Sequence, residues 1–237
     1  MASASPSNRL LASLSPKDLA RLRVHLEPVD LTLRQTLSAS GKPIQHVYFP
    51  EHGMVSLVAS VGDAKIEVGV ICNEGVFGAT VIHGVNTYPA EAMVQLPGAA
   101  LRIETAHLVK ETARSAALAL LLSRFMHALH IQVAQSTACN RRHALPERLA
   151  RWLLITRDRA ESDSFPMTHE FLGMMLGSRR AGVTEALGKL KAAGLLATSS
   201  GRIQILDRKG LRAASCACYQ IVKAEYERIL PSRASGQ

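Results

Sequence analysis

MTHEFLGMMLGSRRAGVTEALGKLKAAGLL, residues 167 to 196, places glycines and apolar residues where two helices meeting at a tight turn need them. Counting from His169, Gly173 falls where the helices approach closest, Gly177 in the turn, and Val183 on the inner face of the second helix. A side chain at position 173 would push the helices apart, and a turn taking positive φ at Gly177 meets no Cβ penalty. Leu172 and Leu176 are expected to pack against Val183, Leu187 and Leu190. The spacing predicts a helix-turn-helix of the kind that reads double-stranded DNA; the alternative is an ordinary helical hairpin with a basic surface.

On this reading Ser178 caps the second helix by accepting a hydrogen bond from an orphan amide of its first turn, and Arg179 and Arg180 follow at once. The N-terminal residues of a recognition helix reach base edges in the major groove, where the arginine fork matches guanine O6 and N7. Thr184 and Glu185, about one turn on, are placed to read a neighbouring pair, and Thr168 is counted with the same contact set. Downstream, in ATSSGRIQILD (197 to 207), Ser200-Gly201 predicts a hairpin tip, and Arg202 to Leu206 alternates at the strand period. That hairpin is a wing, with Arg202 either on a phosphate or solvated in the turn.

Charge is spread unevenly. Of the formal +9, residues 1 to 140 carry +1 and residues 141 to 237 carry +8, so nearly all the basicity travels with the helix-turn-helix. A positive half suits a polyanion through counterion release and steering, although basicity alone also fits an anionic membrane or plain solubility. The longest uninterrupted apolar run, Ala116 to Leu122, is far short of the roughly 18 residues a membrane span needs. Met1 to Asn8 is Ser/Ala-rich without a cationic start and is expected to be a flexible tail rather than a signal peptide. These features predict a cytoplasmic location and no membrane partner.

Cys72, Cys139, Cys216 and Cys218 are too few and scattered for a disulfide framework. Cys216-x-Cys218 is tighter than usual zinc spacing and has no Cys or His pair near it in sequence, so a structural role in a terminal helix is expected and no metal is assigned.

Leu10 to His25 has helical period, with Ser15-Pro16 as cap and first-turn proline. Between Val29 and Ile103 come short apolar runs, Leu31 to Leu37, Val47 to Phe49, Met54 to Ser60, Ile66 to Ile71, Ala92 to Leu96 and Ala100 to Ile103. Gly41-Lys42-Pro43, Gly53, Gly62-Asp63, Asn73-Glu74-Gly75 and Pro97-Gly98 separate them, a pattern that predicts a sandwich or jelly-roll barrel. Ala106 to about Ala138 has no Gly or Pro and predicts one long helix. Its Leu118, Leu122, Phe125 and Leu129 follow coiled-coil spacing. That stripe is either a dimer contact or a face packed on the chain's own barrel. Cys139-Asn140 is then the expected hinge, and Pro146 to Arg159 a further helix around the core residue Trp152.

A β-rich domain, a long helix and a C-terminal winged helix-turn-helix, in that order, resemble the Crp/Fnr superfamily of bacterial transcription regulators over roughly Leu10 to Arg212. The resemblance is most specific in THEFLGMMLGSRRAGVTEALGKLKAAGLL, and HVYFPEHGMVSLVA and EGVFGA are similar to the family's effector domain. It implies an α+β multidomain fold: a double-stranded β-helix (jelly roll) of cyclic-nucleotide-binding type over 9–105, a dimerisation helix over 106–139, and a winged helix-turn-helix DNA-binding domain over 140–230. It further implies a homodimeric, sequence-specific DNA-binding regulator with RNA polymerase as a further partner, the barrel acting as sensor of an effector left unidentified. Gly75, Phe77, Gly78, Ala79 and Tyr88 mark its ligand site.

The family's nucleotide binders use a glutamate on the ribose and an arginine on the cyclic phosphate. Here Ala79 stands at the glutamate position, Tyr88 or Pro89 near the arginine position, and no Lys or Arg occurs between Lys65 and Arg102. Burying a phosphate charge without a cation or several aligned donors costs several kcal/mol, so cAMP binding in the family's usual way is not expected, although amides around Gly75 to Gly78 offer an anion cradle. The alternative is a cyclic-nucleotide-responsive or haem-responsive regulator of the same architecture, with His83, His127 and His130 as haem-ligand candidates. An iron–sulfur sensor needs about four thiolates, and only Cys72 lies in the barrel.

An enzyme finds little support, with no G-x-S-x-G, phosphate-loop or H-E-x-x-H motif. Cys139 and His143, four apart, are the one thiolate–base candidate. A protein-interaction module is compatible with DNA binding.

Overall fold

The computed structural model describes residues 5–160 and 162–230. By its contacts the chain divides into two compact units, one of Met1–Leu57, Val70–Ile131 and Ala224–Gln237, the other of Val58–Gly69 and Gln132–Lys223.

The first unit opens with α1 (Arg9–Ala12) and α2 (Pro16–Arg23). Ser15 caps α2 through a hydrogen bond from the Asp18 amide, as the Ser-Pro pair predicts. Asn8 corrects the flexible-tail expectation. Its Oδ1 accepts from the Leu10 and Leu11 amides, and its buried Nδ2 donates to the carbonyls of Pro50 and Gly75, both at 2.9 Å. Met1 to Ala4 of that expected tail lie outside the described residues.

Strands follow: β1 (Glu27–Leu31), β2 (Thr36–Ser38), β3 (His46–Val61), β4 (Ala64–Ile71) and β5 (Glu91–Glu104), in the order β1-β5-β3-β4, with β1 and β2 both antiparallel to β5. Val58–Gly69, the end of β3 and most of β4, belongs to the second unit. The six short runs expected from sequence are fewer, longer strands. Gly53 and Pro97-Gly98 stand inside β3 and β5 rather than between strands. Gly53 has φ +84°, and a Cβ there would lie 2.6 Å from the Leu96 carbonyl oxygen; one on Gly98 would lie 2.3 Å from the His52 carbonyl oxygen. The two glycines let β3 and β5 close on each other at backbone contact.

The expected single helix is two, α3 (Thr105–Arg114) and α4 (Ala116–Arg142). Ser115 breaks it with φ −133°, and its Oγ accepts from the Leu118 amide at 3.2 Å. A serine N-cap therefore ends the run without Gly or Pro. Of the predicted dimer stripe, Leu118, Leu122 and Phe125 are at most 2% exposed within the chain. Phe125 packs so closely on Gly75 that a Cβ there would sit 2.4 Å from the ring. The dimer assignment of these three residues gives way to burial within the chain itself, with Phe125 on the barrel; Leu129, half-buried, lines a cavity together with Phe125. The outer face keeps Leu120 at 52% exposure. Among the described residues α4 is long and apolar enough, by length and composition alone, to cross a membrane, with only 33% of its most apolar window buried. It also runs unbroken through Cys139-Asn140 to Arg142, so the expected hinge there is helical.

The second unit holds α5 (Leu145–Ala160), β6 (Ser164–Pro166), α6 (His169–Leu176), α7 (Arg180–Ala192), β7 (Leu196–Ser199), β8 (Arg202–Ile205), α8 (Arg208–Ala214) and the start of α9 (Cys218–Ile229). Trp152 is buried, and its indole donates to Glu67 Oε1 at 3.0 Å. Ser200 (φ 47°) and Gly201 (φ 72°) form the two-residue tip between β7 and β8, the pair of positive φ values that a type I′ hairpin requires. Sequence reasoning missed β6, which adds to the free edge of β8. It is three residues long and ends in proline, too short to carry a period.

Candidate nucleic-acid interface

Helices α6 and α7 meet as the glycine spacing requires. Gly177 ends α6 at φ 57°, and the Ser178 amide donates back to the Gly173 carbonyl at 2.8 Å, the C-terminal closure a left-handed cap provides. A Cβ on Gly173 would lie 2.8 Å from the Ser178 carbonyl oxygen. The obstacle is backbone, so relief means opening the turn. Alanine's better helix propensity returns about 1 kcal/mol, against about 1–3 kcal/mol for overpacking. Gly173→Val, which gains less propensity than alanine and adds more bulk against that carbonyl, is expected to cost about 3 kcal/mol, read as a lower denaturation midpoint; an unchanged midpoint would contradict this packing.

Leu172, Leu176, Val183, Leu187 and Leu190 are all buried, at 4% exposure or less, so the inner face is the one expected. Arg148 of α5 donates a guanidinium hydrogen bond to the Leu176 carbonyl, one of the acceptors left over at a helix end.

Ser178 does not cap the second helix. Its amide is used in closing α6, which makes Arg179 the N-cap of α7, with no side-chain capping bond. The outer face of α7 then presents Arg179, Arg180, Thr184, Glu185 and Lys189, all exposed. Neither the Arg179 nor the Arg180 guanidinium makes an ion pair or hydrogen bond among the described residues. Two other members of the expected set are engaged within the chain. Glu185 pairs with Lys189 at 2.8 Å, and that hydrogen bond holds its carboxyl below the ordinary value. Thr184 Oγ1 donates to the Arg180 carbonyl at 3.0 Å and lies 2.9 Å from His169 Nδ1. Its one proton goes to the carbonyl, so His169 carries hydrogen on Nδ1 and donates to Thr184. Sequence reasoning used His169 only to count from, and no spacing signal marks it as the partner that orients Thr184.

Thr168 is the N-cap of α6, accepting from the Phe171 amide at 3.2 Å. Arg202 is exposed beside the hairpin tip, its guanidinium held by Ser164 Oγ and carbonyl at 3.3–3.4 Å. Thr168, His169, Arg180, Ser200 and Arg202 all line one open cleft of about 460 Å³. The cleft runs between the start of α6, the start of α7 and the wing, with two arginines in its wall.

The ligand site expected in the first unit is nearly closed. Phe77, Gly78, Ala79, Tyr88, Phe125 and Leu129 line a cavity of about 30 Å³, an order of magnitude below the ~300–1,000 Å³ of ordinary ligand pockets. The expected amide cradle is partly spent, since the Gly75 amide donates to Cys72 and the Phe77 amide to Tyr48. Burial pushes the Tyr88 hydroxyl above its ordinary pKa. His83, His127 and His130 are exposed.

Cys216 and Cys218, which lack a partner pair in sequence, have one in space. Cys139 Sγ lies 3.5 Å from Cys216 Sγ, and Cys218 Sγ lies 3.6 Å from His143 Nδ1. Those are the short contacts of both Cys139 and His143, in place of a thiolate–base dyad between the two. The hydrogen bond from Cys139 draws the Cys216 thiol down to about 5, and the same bond, with burial, pushes Cys139 up.

Residues 147–214 match the family described as the Crp-like helix-turn-helix domain. No curated protein matches the sequence. Among solved structures, FixK2 from Bradyrhizobium japonicum superposes with a TM-score of 0.69 at 19% identity, over 81% of this chain and 98% of that one. A putative Crp/Fnr-family transcriptional regulator from Eubacterium rectale gives 0.70 at 18% identity, over 88% and 98%. The c-di-GMP-responsive global regulator CLP of Xanthomonas campestris gives 0.64 at 16%, over 81% and 100%. Matched domain and shared fold agree: residues 147–214 are a Crp-like helix-turn-helix domain, and the chain as a whole shares its α+β fold with solved proteins of the Crp/Fnr family.

Proposed function

We propose that the protein is a homodimeric, sequence-specific DNA-binding regulator that acts by binding rather than catalysis, in the cytoplasm, with RNA polymerase as a further partner. The observation that carries the reading is the pair of unengaged, exposed guanidinium groups at the start of α7, inside a domain of Crp-like type. Thr184, steered by His169, offers its methyl group to a neighbouring base, while Glu185 acts on Lys189 and Thr168 and Ser178 shape the motif. Arg202, fixed by Ser164, meets a phosphate and sets register without reading sequence.

Dimer formation rests on α4. It is apolar enough in composition to cross a membrane, yet only about 33% of its most apolar window is covered within one chain. A second copy of the same helix laid on the face that carries Leu120 covers the remainder at the lowest cost in new surface. A two-fold pair brings two α7 helices to two half-sites about one DNA turn apart.

The effector does not bind as a cyclic nucleotide binds its usual site. A c-di-GMP response, which belongs to the Xanthomonas relative, meets the same obstacle: no Lys or Arg stands between Lys65 and Arg102 to hold a phosphate. Selection of random double-stranded DNA on the purified protein is expected to recover an inverted repeat with a half-site spacing of about 10 base pairs. Recovery of sequences without a common motif would contradict the reading.

A further inference from the structure

Cys139, His143, Cys216 and Cys218 each offer one ligand atom, and the four atoms lie within 4.8 Å of one another. We propose that they form a closed, tetrahedral zinc site that ties the C-terminal end of α4 to the junction between α8 and α9.

Local structure aims all four inward. Gln135, Cys139 and His143 are spaced by four, and the His143 amide donates to the Cys139 carbonyl at 3.0 Å, so the helical register continues past Arg142 and the three share one face. Cys216 and Cys218 flank Ala217 in the tight link between helices, where the Tyr219 amide donates to the Cys216 carbonyl. The x-residue spacing is too short for one loop to wrap a metal alone. It suffices when the second pair comes from another helix.

Buried cysteines ordinarily pack as small hydrophobes against hydrocarbon. Here Cys139, Cys216 and Cys218 form a small core of their own, sulfur to sulfur, at 5% exposure or less. The distances fit one ion. Zinc held by thiolate at about 2.3 Å and imidazole at about 2.0–2.1 Å gives tetrahedral edges of about 3.8 Å between sulfurs and about 3.6 Å from sulfur to nitrogen. The short contacts in the protein are 3.5 Å and 3.6 Å. An iron–sulfur cluster spreads its cysteine ligands over separate irons and needs a wider cage.

The surroundings are those of a metal site. Gln135 Nε2 donates to Cys218 Sγ at 3.1 Å, the outer hydrogen bond that orients a ligand and tempers its charge. Three thiolates with one dication leave a negative charge, which the nearly buried Arg151 guanidinium offsets. Half-exposed His143 is the side from which an ion enters. Four protein ligands leave no open position for substrate or water, so the site is structural.

The test is cobalt and zinc titration of the full-length, thiol-reduced protein. About one Co²⁺ per chain is expected, with the thiolate charge-transfer and tetrahedral d–d absorption of an S₃N site, displaced by Zn²⁺. Zinc should raise the melting temperature of the wild type, and Cys72→Ser should bind as wild type does. Cys216→Ser/Cys218→Ser should lose the spectrum, and Gln135→Leu should weaken zinc roughly 10- to 100-fold. Absence of a cobalt spectrum in folded, reduced wild-type protein would overturn the site, whatever the variants do. So would wild-type affinity in the folded double serine variant.

Discussion

The double variant Arg179→Ala/Arg180→Ala is expected to melt at the wild-type temperature and to lose selective DNA binding. The two halves of that expectation have separate causes. Both guanidinium groups are exposed and unengaged within the chain, and surface changes of that kind usually stay within about 0.5 kcal/mol. A bidentate arginine–guanine pair contributes about 1–3 kcal/mol of discrimination, so two together separate cognate from random DNA by roughly 30-fold at the low end and 10⁴-fold at the high end. Competition binding against random duplex reads the ratio directly. Arg202→Ala is the contrasting case: with a phosphate as its target it should weaken all sequences alike and lower the salt slope by about 1. Equal selectivity in wild type and double variant would remove Arg179 and Arg180 as readers.

Phe125→Ala is expected to destabilise the first unit by about 3–5 kcal/mol, to the same extent at every protein concentration. Phe125 is 1% exposed, lies on Gly75 and walls the 30 Å³ cavity. Removing the ring leaves a void whose rim includes the Gly75 backbone and the Ile71 side chain. Glycine has no side chain to move into the space, so collapse is limited and the cost falls high in the range. Thermal unfolding at concentrations spanning two decades is the measurement. A loss that grows on dilution would return Phe125 to a subunit interface and contradict its place in the barrel core. The enlarged cavity is apolar and should take up a small aromatic solute, raising the variant's melting temperature by mass action.

The helix-turn-helix was legible because its demands are steric and local. Gly173 and Gly177 stand where a Cβ or a negative φ fails, and the apolar positions follow the inner face. The wing was legible for the same reason, since Ser200-Gly201 must take two positive φ values. Gly53 and Gly98 carry an equally strong steric signal, but a glycine that breaks a strand and one that lets two strands touch look alike until the partner backbone is in place.

The end of α3 needed a side-chain signal rather than a breaker, and Ser115 just ahead of an apolar run gave a weak one. Coiled-coil spacing in α4 identified an apolar stripe without saying what covers it; Leu118, Leu122 and Phe125 are buried within the chain, Phe125 against Gly75. Thr184 and Glu185 sit on the expected face, yet partners at positions 169 and 189 engage them. Cys139 and Cys216 are 77 positions apart, so no local spacing rule joins them.

The central claim is that arginine at the start of α7 touches guanine through O6 and N7. Replacing the contacted guanines of the selected site with 7-deazaguanine deletes the N7 acceptor and leaves base pairing intact. Affinity of the wild type should fall about 10-fold or more, whereas Arg179→Ala/Arg180→Ala should bind modified and unmodified duplexes equally. An equal loss in both proteins, or none in the wild type, would contradict the claim.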